Sequence, residues 1–507
     1  MVLLGTKMAR NLNIYREKNF SKGYNDRVQP EHLPSGYLAD ALNCFIRTDQ
    51  IVKRNGYTLI ADDLGSAACQ GMKGVRFADG TKRVYAVFNG VVYKWTGSGN
   101  WASLSGTLNT TGYVDIVVAN NAVYFFDGTN TVVKVSSSDV LSTVAAIPIG
   151  KYARWFHNSL YVAGVTATPN RMRVSNLGDP EDFSAGTTAT IDVNPNDGDF
   201  ITGLNELKDE LLIFKTQRVW SLTGFGTSTL TLSNLNERLN GFGTPSHRSI
   251  VNTGKDVIYL SFLGDVPHFR SISQTRYGTI IENGIVSNAI ETTMGALNKA
   301  ALDMVAGVFD GRNLWYGVPD ASSTYNDKVV MLDVITGGWV RHSGIHASCW
   351  DVFAVSNTTQ LYFGEASADS KAYVFSTATS DNGAAINFQV ISRRYGGDVP
   401  ESKKKWKYFY ITALESGDYD LTVDYAKDGF TYDNLGTMNL SGTGSQFDNI
   451  ILDTSKLGST DVKRKRFNIG KSIGYYTQFK LHDSSATSVV TIRDWEVLFL
   501  PRNIREV

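Results

Sequence analysis

The chain has 507 residues, 42% of them apolar and 19% charged, with 49 Lys plus Arg against 49 Asp plus Glu. That mixture excludes a disordered polymer, and the zero formal balance excludes a global basic field of the kind that gathers nucleic acid. The length exceeds one ordinary compact core, so the chain holds several domains or closes many repeats around an axis.

Residues 1–60 fit no repeat and read as an N-terminal arm with a docking strand. The opening MVLLGTKMARNLNIYREKN lacks the long apolar core and small-residue cleavage site of a secretory leader, and no run approaches about 18 apolar residues. The expectation is a chain without a membrane span, folded in a reducing cytoplasm. Cys44, Cys69 and Cys349 are odd in number and widely spaced, which suits small core residues better than disulfides or zinc ligands.

From residue 61 to 390 the same pattern recurs. Units begin near Gly71, Tyr113, Lys151, Ile201, Arg248, Met304 and Trp350, a period of roughly 40 to 55 residues. Each opens with two short apolar runs about a turn: RVYAVF and VVYKW across NG, YVDIVVA and AVYFFD across NN, YARWF and LYVAG across HNS. Asn-Gly tolerates the positive φ that a two-residue hairpin demands. Aromatics at 11%, 47 glycines and only 11 prolines agree with many strands and tight turns. Near-continuous apolar strands need cover on both faces, which radial stacking supplies. The fold expected is all-β: an irregular β-propeller of about seven blades, with six or eight as alternatives. Tyr93, Trp95, Phe125, Trp220 and Trp315 fall in the strands and read as core.

From 391 to 507 alternating strands such as YFYITAL, YYTQFKLHD and SVVTIRDWEVLFLP predict a C-terminal antiparallel β-sandwich. The basic runs Lys403 to Lys405 and Lys463 to Arg466 read as solvated strand ends or interface charges.

Chemistry is sparse. There is no HExxH, GxSxG, P-loop or dinucleotide fingerprint. His342 and His346 in RHSGIH are close, but in a strand-turn context that spacing does not share a face as it would on a helix. Asp192, Asp197 and Asp199 in DVNPNDGD lack the full ligand spacing of a calcium loop and read as a solvated turn. No catalytic, cofactor-binding or metal residue is assigned, and no enzyme is expected. The long insert GFGTSTLTLSNLNERLNGFG has glycines at both ends, as a hinged loop has; Phe225, Asn240 and Phe242 are its candidate gate or ring-contact residues.

Two stretches resemble a known family. DRVQPEHLPSGYLADALNCFIRTDQIVKRNGYTLI carries a Pro-marked loop at Pro34, a small-residue stretch ending at Asn43, and Lys53, Arg54 and Gly56 after a tight turn. RMRVSNLGDPEDFSAG, followed by DGDFITGLNELKDELLIFKTQRVWSLTG, has a Gly-Asp-Pro loop before a glycine-marked strand pair. Both are similar to segments of tail nozzle, tail hub and packaged-DNA stabilisation (neck) proteins of short-tailed bacteriophages. The resemblance implies a ring, commonly a hexamer, below the portal adaptor or neck protein. It also implies contacts to tail fibre or tailspike proteins, double-stranded DNA in transit without sequence specificity, and a place in the virion after assembly in the host cytoplasm. A phage or bacterial carbohydrate-binding adhesin is the alternative, and a hydrolase working in the propeller mouth is the third class.

Overall fold

The computed structural model describes residues 12–502 apart from 48, 225–233, 278–283, 357, 397–399, 442–461 and 471. The chain divides into two compact units, one from Met1–Gly56, Leu332–Ser343 and Ala378–Val507, the other from Tyr57–Met331 and Gly344–Thr377.

Local turn chemistry builds the second unit. Asn89 (φ 48°) and Gly90 (φ 75°) place two left-handed residues between Lys82–Phe88 and Val91–Trp95, which pair antiparallel. Asn120 and Asn121 (φ 43° and 61°) do the same for Asp115–Ala119 and Ala122–Phe126, and His157 and Asn158 (φ 46° and 58°) for Tyr152–Phe156 and Ser159–Ala163. Six self-contained antiparallel sheets result, at 69–103, 115–144, 152–192, 201–240, 251–271 and 347–375. A further strand set, Ala306–Phe309, Asn313–Val318 and the strand starting at Lys328, comes between the fifth and the last. The first strand of each set packs beside the first strand of the next, and Ala347–Phe353 returns to Cys69–Arg76, so the sets close a ring. This is a β-propeller. Apolar clusters fill the spaces between sheets, for example Tyr124, Phe126, Val132 and Leu160 between the second and third.

The last blade borrows its fourth strand from the start of the unit. Tyr57–Leu59 pairs antiparallel with Ala372–Phe375. A closed propeller exposes no long sheet edge, and this strand covers the one that the last three-stranded set would otherwise leave.

The first unit holds two sheets. One runs in the order Val462–Asn468, Lys404–Leu414, Thr491–Pro501, Ile51–Lys53, Cys44–Ile46, with Asn13–Glu17 also on Thr491–Pro501. In the other, Gly23–Tyr24, Tyr37–Leu42, Phe388–Ser392, Thr477–Asp483, Asp420–Lys427 and Asp433–Asn439 lie side by side. Phe409 of the first sheet stacks on Phe479 of the second at 3.8 Å, and Trp495 Nε1 donates to the Tyr395 hydroxyl at 2.6 Å.

The division therefore differs from the expected boundaries at 60 and 390. Residues 1–60 do not form a separate arm: Tyr15 pairs with Val497, Leu42 with Gln389 and Val52 with Thr491. Short strands cannot bury a face alone, so they complete sheets with strands far downstream, Leu42 opposite both Arg341 and Gln389. Of the two basic runs, only Lys404 departs from the expected solvated charges; Lys403 and Arg464 to Arg466 are exposed. Lys404 is buried and donates to the carbonyls of Gly396 and Ser402. Lys463 to Arg466 lie on the edge strand Val462–Asn468, where cations discourage edge-to-edge pairing with other chains.

The residues that carry the family resemblance meet in this unit. Asn43 sits at φ 55° and turns its amide inward, donating to Ser343 Oγ and the Asn387 carbonyl while accepting from Arg54 Nε. Arg54 forks onto both carboxylate oxygens of Asp381 at 2.7 and 2.5 Å, and its side chain is fully buried. Lys53 Nζ reaches Asp483 at 2.7 Å, the Ser485 carbonyl and Ser488 Oγ. Gly56 donates to the Ala378 carbonyl, and a Cβ there would lie 1.9 Å from the Ser380 carbonyl oxygen, which explains the glycine.

Candidate functional site

The first strands of the blades enclose two cavities within the propeller unit. The wider, about 720 Å³, is lined by loops before these strands, including Thr110, Lys151, Asp303, Tyr325 and Asn326. The narrower, about 390 Å³, is lined by the strands themselves, every blade contributing: Lys73, Ile116, Arg154, Leu204, Val251, Val308 and Trp350 are examples. Tyr113, His247 and Arg248 border both and form a collar between them.

The collar is held by a buried carboxylate. Asp115 Oδ1 accepts from the Tyr113 hydroxyl at 2.9 Å and Oδ2 from the Ala153 backbone N–H at 2.9 Å, and His247 Nε2 lies 3.3 Å from Oδ2. On the other side of the ring, the Leu204 backbone N–H lies 3.4 Å from His247 Nδ1. The Arg248 guanidinium stands 4.6 Å over the Tyr113 ring and donates to the Ser348 carbonyl at 2.6 Å. Burial pushes the Asp115 pKa up, but the charge and hydrogen bond of His247 and the Ala153 and Tyr113 donors outweigh it, leaving the group below its ordinary value.

That direction sets an acid limit. Asp127, Asp139 and Asp197 are likewise depressed, burial being outweighed by backbone donors at Asp127 and by lysine partners at the other two. A carboxylate with a lowered folded pKa contributes stability above its unfolded value and loses it as pH falls through the folded one. Urea midpoints of the propeller should hold from pH 7 to 5 and fall steadily below about pH 4. Asp115→Asn should cost about 1–3 kcal/mol at pH 7 and flatten part of that acid limb.

A buried pair of thiols, Cys69 and Cys349, lies beside the collar. The thiols belong to the first strands of the first and last blades, and their sulfurs are 3.3 Å apart. Neither the collar nor this pair was singled out by the sequence patterns. A carboxylate inside the apolar run YVDIVVA, and a cysteine just before the start of both the first and last units, were the available signals.

The residues expected to matter are placed elsewhere. Phe225 lies outside the described residues. Asn240 ends the strand Leu235–Asn240, opposite Arg218 on the outer edge of the fourth blade. Phe242 packs against the cluster of Leu212, Val219 and Leu239, with the Arg270 guanidinium 4.2 Å over its ring, and its carbonyl accepts from Tyr259. Neither Asn240 nor Phe242 borders either axial cavity. His342 and His346 fall in different units, and His346 pairs with Glu365 at 3.3 Å. Among the described residues no three His, Cys, Asp or Glu are grouped as metal ligands.

The acidic stretch DVNPNDGD is not a solvated turn. Asp197 holds the fully buried Lys215 ammonium at 2.8 Å, Asp192 pairs with Arg171, and Asp199 accepts from the Thr216 and Gln217 backbone at 2.9 and 3.1 Å. Asp197 and Asp199 thereby bind the hairpin turn of the fourth blade, whereas Asp192 stays within the third. Asp199→Ala strands those donors and should cost about 1–3 kcal/mol, read as a lower urea midpoint with an unchanged m-value.

No protein-family model matches the sequence, and no curated protein matches it. Solved structures similar to it include the Neurospora crassa Pan2 WD40 domain, 9% identical with TM-score 0.38, covering 61% of this chain and 89% of that one. A catalytically inactive virginiamycin B lyase from Staphylococcus aureus with quinupristin is 10% identical with TM-score 0.42, covering 64% and 100%. The WD40 β-propeller domain of Doa1 is 11% identical with TM-score 0.39, covering 63% and 97%. The propeller assignment stands on the sheet order itself.

Proposed function

We propose that this chain is a non-enzymatic structural component of a tailed-phage virion, a ring-forming tail nozzle or neck protein. In this role it continues the portal channel, helps retain packaged DNA and releases it on infection. The observation that carries the reading is the buried node of Asn43, Lys53, Arg54 and Gly56. The motif that resembles tail proteins has a physical task here: it ties the first strands of the chain to Asp381 and Asp483. A stretch whose residue types are demanded by such a node is a feature of the whole architecture, and that suits descent from proteins built the same way. Its partners in this role are further copies of itself, commonly six, a portal adaptor or neck protein, tail fibres or tailspikes, and passing double-stranded DNA. Heterologous contacts that close by rotation generate such rings.

A carbohydrate-binding adhesin is the second reading. The wider axial cavity favours it, because the Tyr113 and Tyr325 rings stand there beside Asp303, Asn326 and Lys151. Immunogold electron microscopy of particles, with antibody against this chain, separates the two. Label at the neck or tail axis supports the nozzle reading, label on fibre tips supports a phage adhesin, and particles that carry their other structural proteins without label overturn the virion role and leave glycan binding to be screened.

A further inference from the structure

We propose that Cys69 and Cys349 form a redox-active dithiol that a low-molecular-weight disulfide converts into a covalent staple between the first and last blades. The inference is independent of the function proposed above.

Geometry is its basis. The two sulfurs face each other at 3.3 Å although 280 positions separate them in the chain. A disulfide requires about 2.0 Å between sulfurs, so closure needs little more than 1 Å, shared by two side chains. Gly364 leaves the space: a Cβ there would lie 2.4 Å from the Cys69 sulfur and 2.8 Å from the Cys349 sulfur. Cys69 is among the residues around the wider axial cavity and Cys349 among those around the narrower one, and both side chains are buried. Cys44 has no such setting; it is fully buried, and burial pushes its thiol far up.

The surroundings also distinguish the two sulfurs. Cys349 is the one pushed down, by its hydrogen bond with Cys69 first, then by Ser348 Oγ and the Arg248 charge, against burial. Burial pushes Cys69 up. A partly ionised thiol beside a cation, with a second thiol in reach, is the arrangement that reacts by exchange.

The reaction balances in two steps. The Cys349 thiolate attacks the reagent X–S–S–X, forming Cys349–S–S–X and releasing X–S⁻. Cys69 then gives its proton to X–S⁻, and its sulfur attacks the Cys349 sulfur, displacing the second X–S⁻, which takes a proton from solvent. Two protein thiols are oxidised and one reagent disulfide is reduced to two X–SH; the proton lost in ionising Cys349 is the second one regained.

The test uses the full chain, native, with 2-hydroxyethyl disulfide as reagent, followed by denaturation, alkylation and mass spectrometry. The expected result is loss of two alkylation sites, a cross-linked peptide joining Cys69 and Cys349, and Cys44 still alkylated. The staple should raise the melting temperature of the propeller by roughly 5–10 °C, reversed by a reducing dithiol. Cys69→Ser should trap the mixed disulfide on Cys349, whereas Cys349→Ser should slow adduct formation at least tenfold. Full alkylation of all three cysteines after oxidation, or trapping equally on Cys44, would overturn the proposal. Circular dichroism of both variants confirms that each remains folded.

Discussion

Replacing Arg54 with methionine is expected to destabilise the unit that contains it by about 3–5 kcal/mol. The guanidinium makes two bonds to Asp381 and further bonds to Asn43 Oδ1 and the Asn55 and Ser343 carbonyls, with no contact to solvent. Methionine fills similar volume, so the loss is electrostatic: Asp381 stays buried without its partner and three acceptors lose a donor. Two controls separate this from a packing defect. Arg54→Met with Asp381→Leu removes both charges and should recover a good part of the loss, as paired replacement of buried ions commonly does. The pH response of the single variant should also change. Burial already raises the Asp381 pKa, and without Arg54 only the Lys53 charge opposes it, so the group rises further. A carboxyl with a raised folded pKa binds its proton more tightly when folded, so the variant gains stability relative to the parent as pH falls from 7 to 5. Urea unfolding followed by tryptophan fluorescence measures both. Equal pH slopes for variant and parent would show that Asp381 finds another partner.

The propeller was legible in the sequence because its signals are local. Unit starts expected at Tyr113, Lys151, Ile201 and Met304 fall within two residues of the first strands Asp115–Ala119, Tyr152–Phe156, Ile201–Leu207 and Ala306–Phe309. Asn89–Gly90 and its counterparts fix each hairpin without reference to anything distant. What closes the ring is not local. Nothing in YTL states that it pairs with Phe375 and Tyr373, and nothing in YLADAL states that it pairs beyond residue 388. Residues 1–60 therefore read as an arm although their described strands complete sheets. The buried node was half visible: Lys53, Arg54 and Gly56 stood out, but Asp381 and Asp483 lie in unremarkable loop and strand text. The cysteines show the same limit from the other side. Counting them gave an odd, scattered set, whereas aligning the repeats puts Cys69 and Cys349 just ahead of equivalent unit starts, where the first strands of adjoining blades run side by side.

Tyr57→Ala is expected to cost the propeller about 3–5 kcal/mol, as truncation of a buried aromatic commonly does. The ring meets Phe363 edge-on at 5.0 Å, Tyr373 at 4.9 Å and Phe375 at 6.0 Å, and the hydroxyl donates to the Gly344 carbonyl. Tyr57→Phe keeps the ring and should cost only about 0.5–1.5 kcal/mol, which separates packing from the hydrogen bond. The two losses should also differ from core mutations elsewhere in how they divide between rates. The pairing of Tyr57 with Phe375 joins the two ends of the unit and bears the greatest loop-closure entropy in the ring. Its contacts therefore form late, after the transition state, and Tyr57→Ala should speed unfolding by most of its equilibrium effect while slowing folding little. Val123→Ala, in the second blade where strand pairing is local, should instead slow folding appreciably. If both variants partition alike, the ring does not close last. Resistance to unfolding is then governed at one seam, where the last blade takes its borrowed strand and adjoins the first.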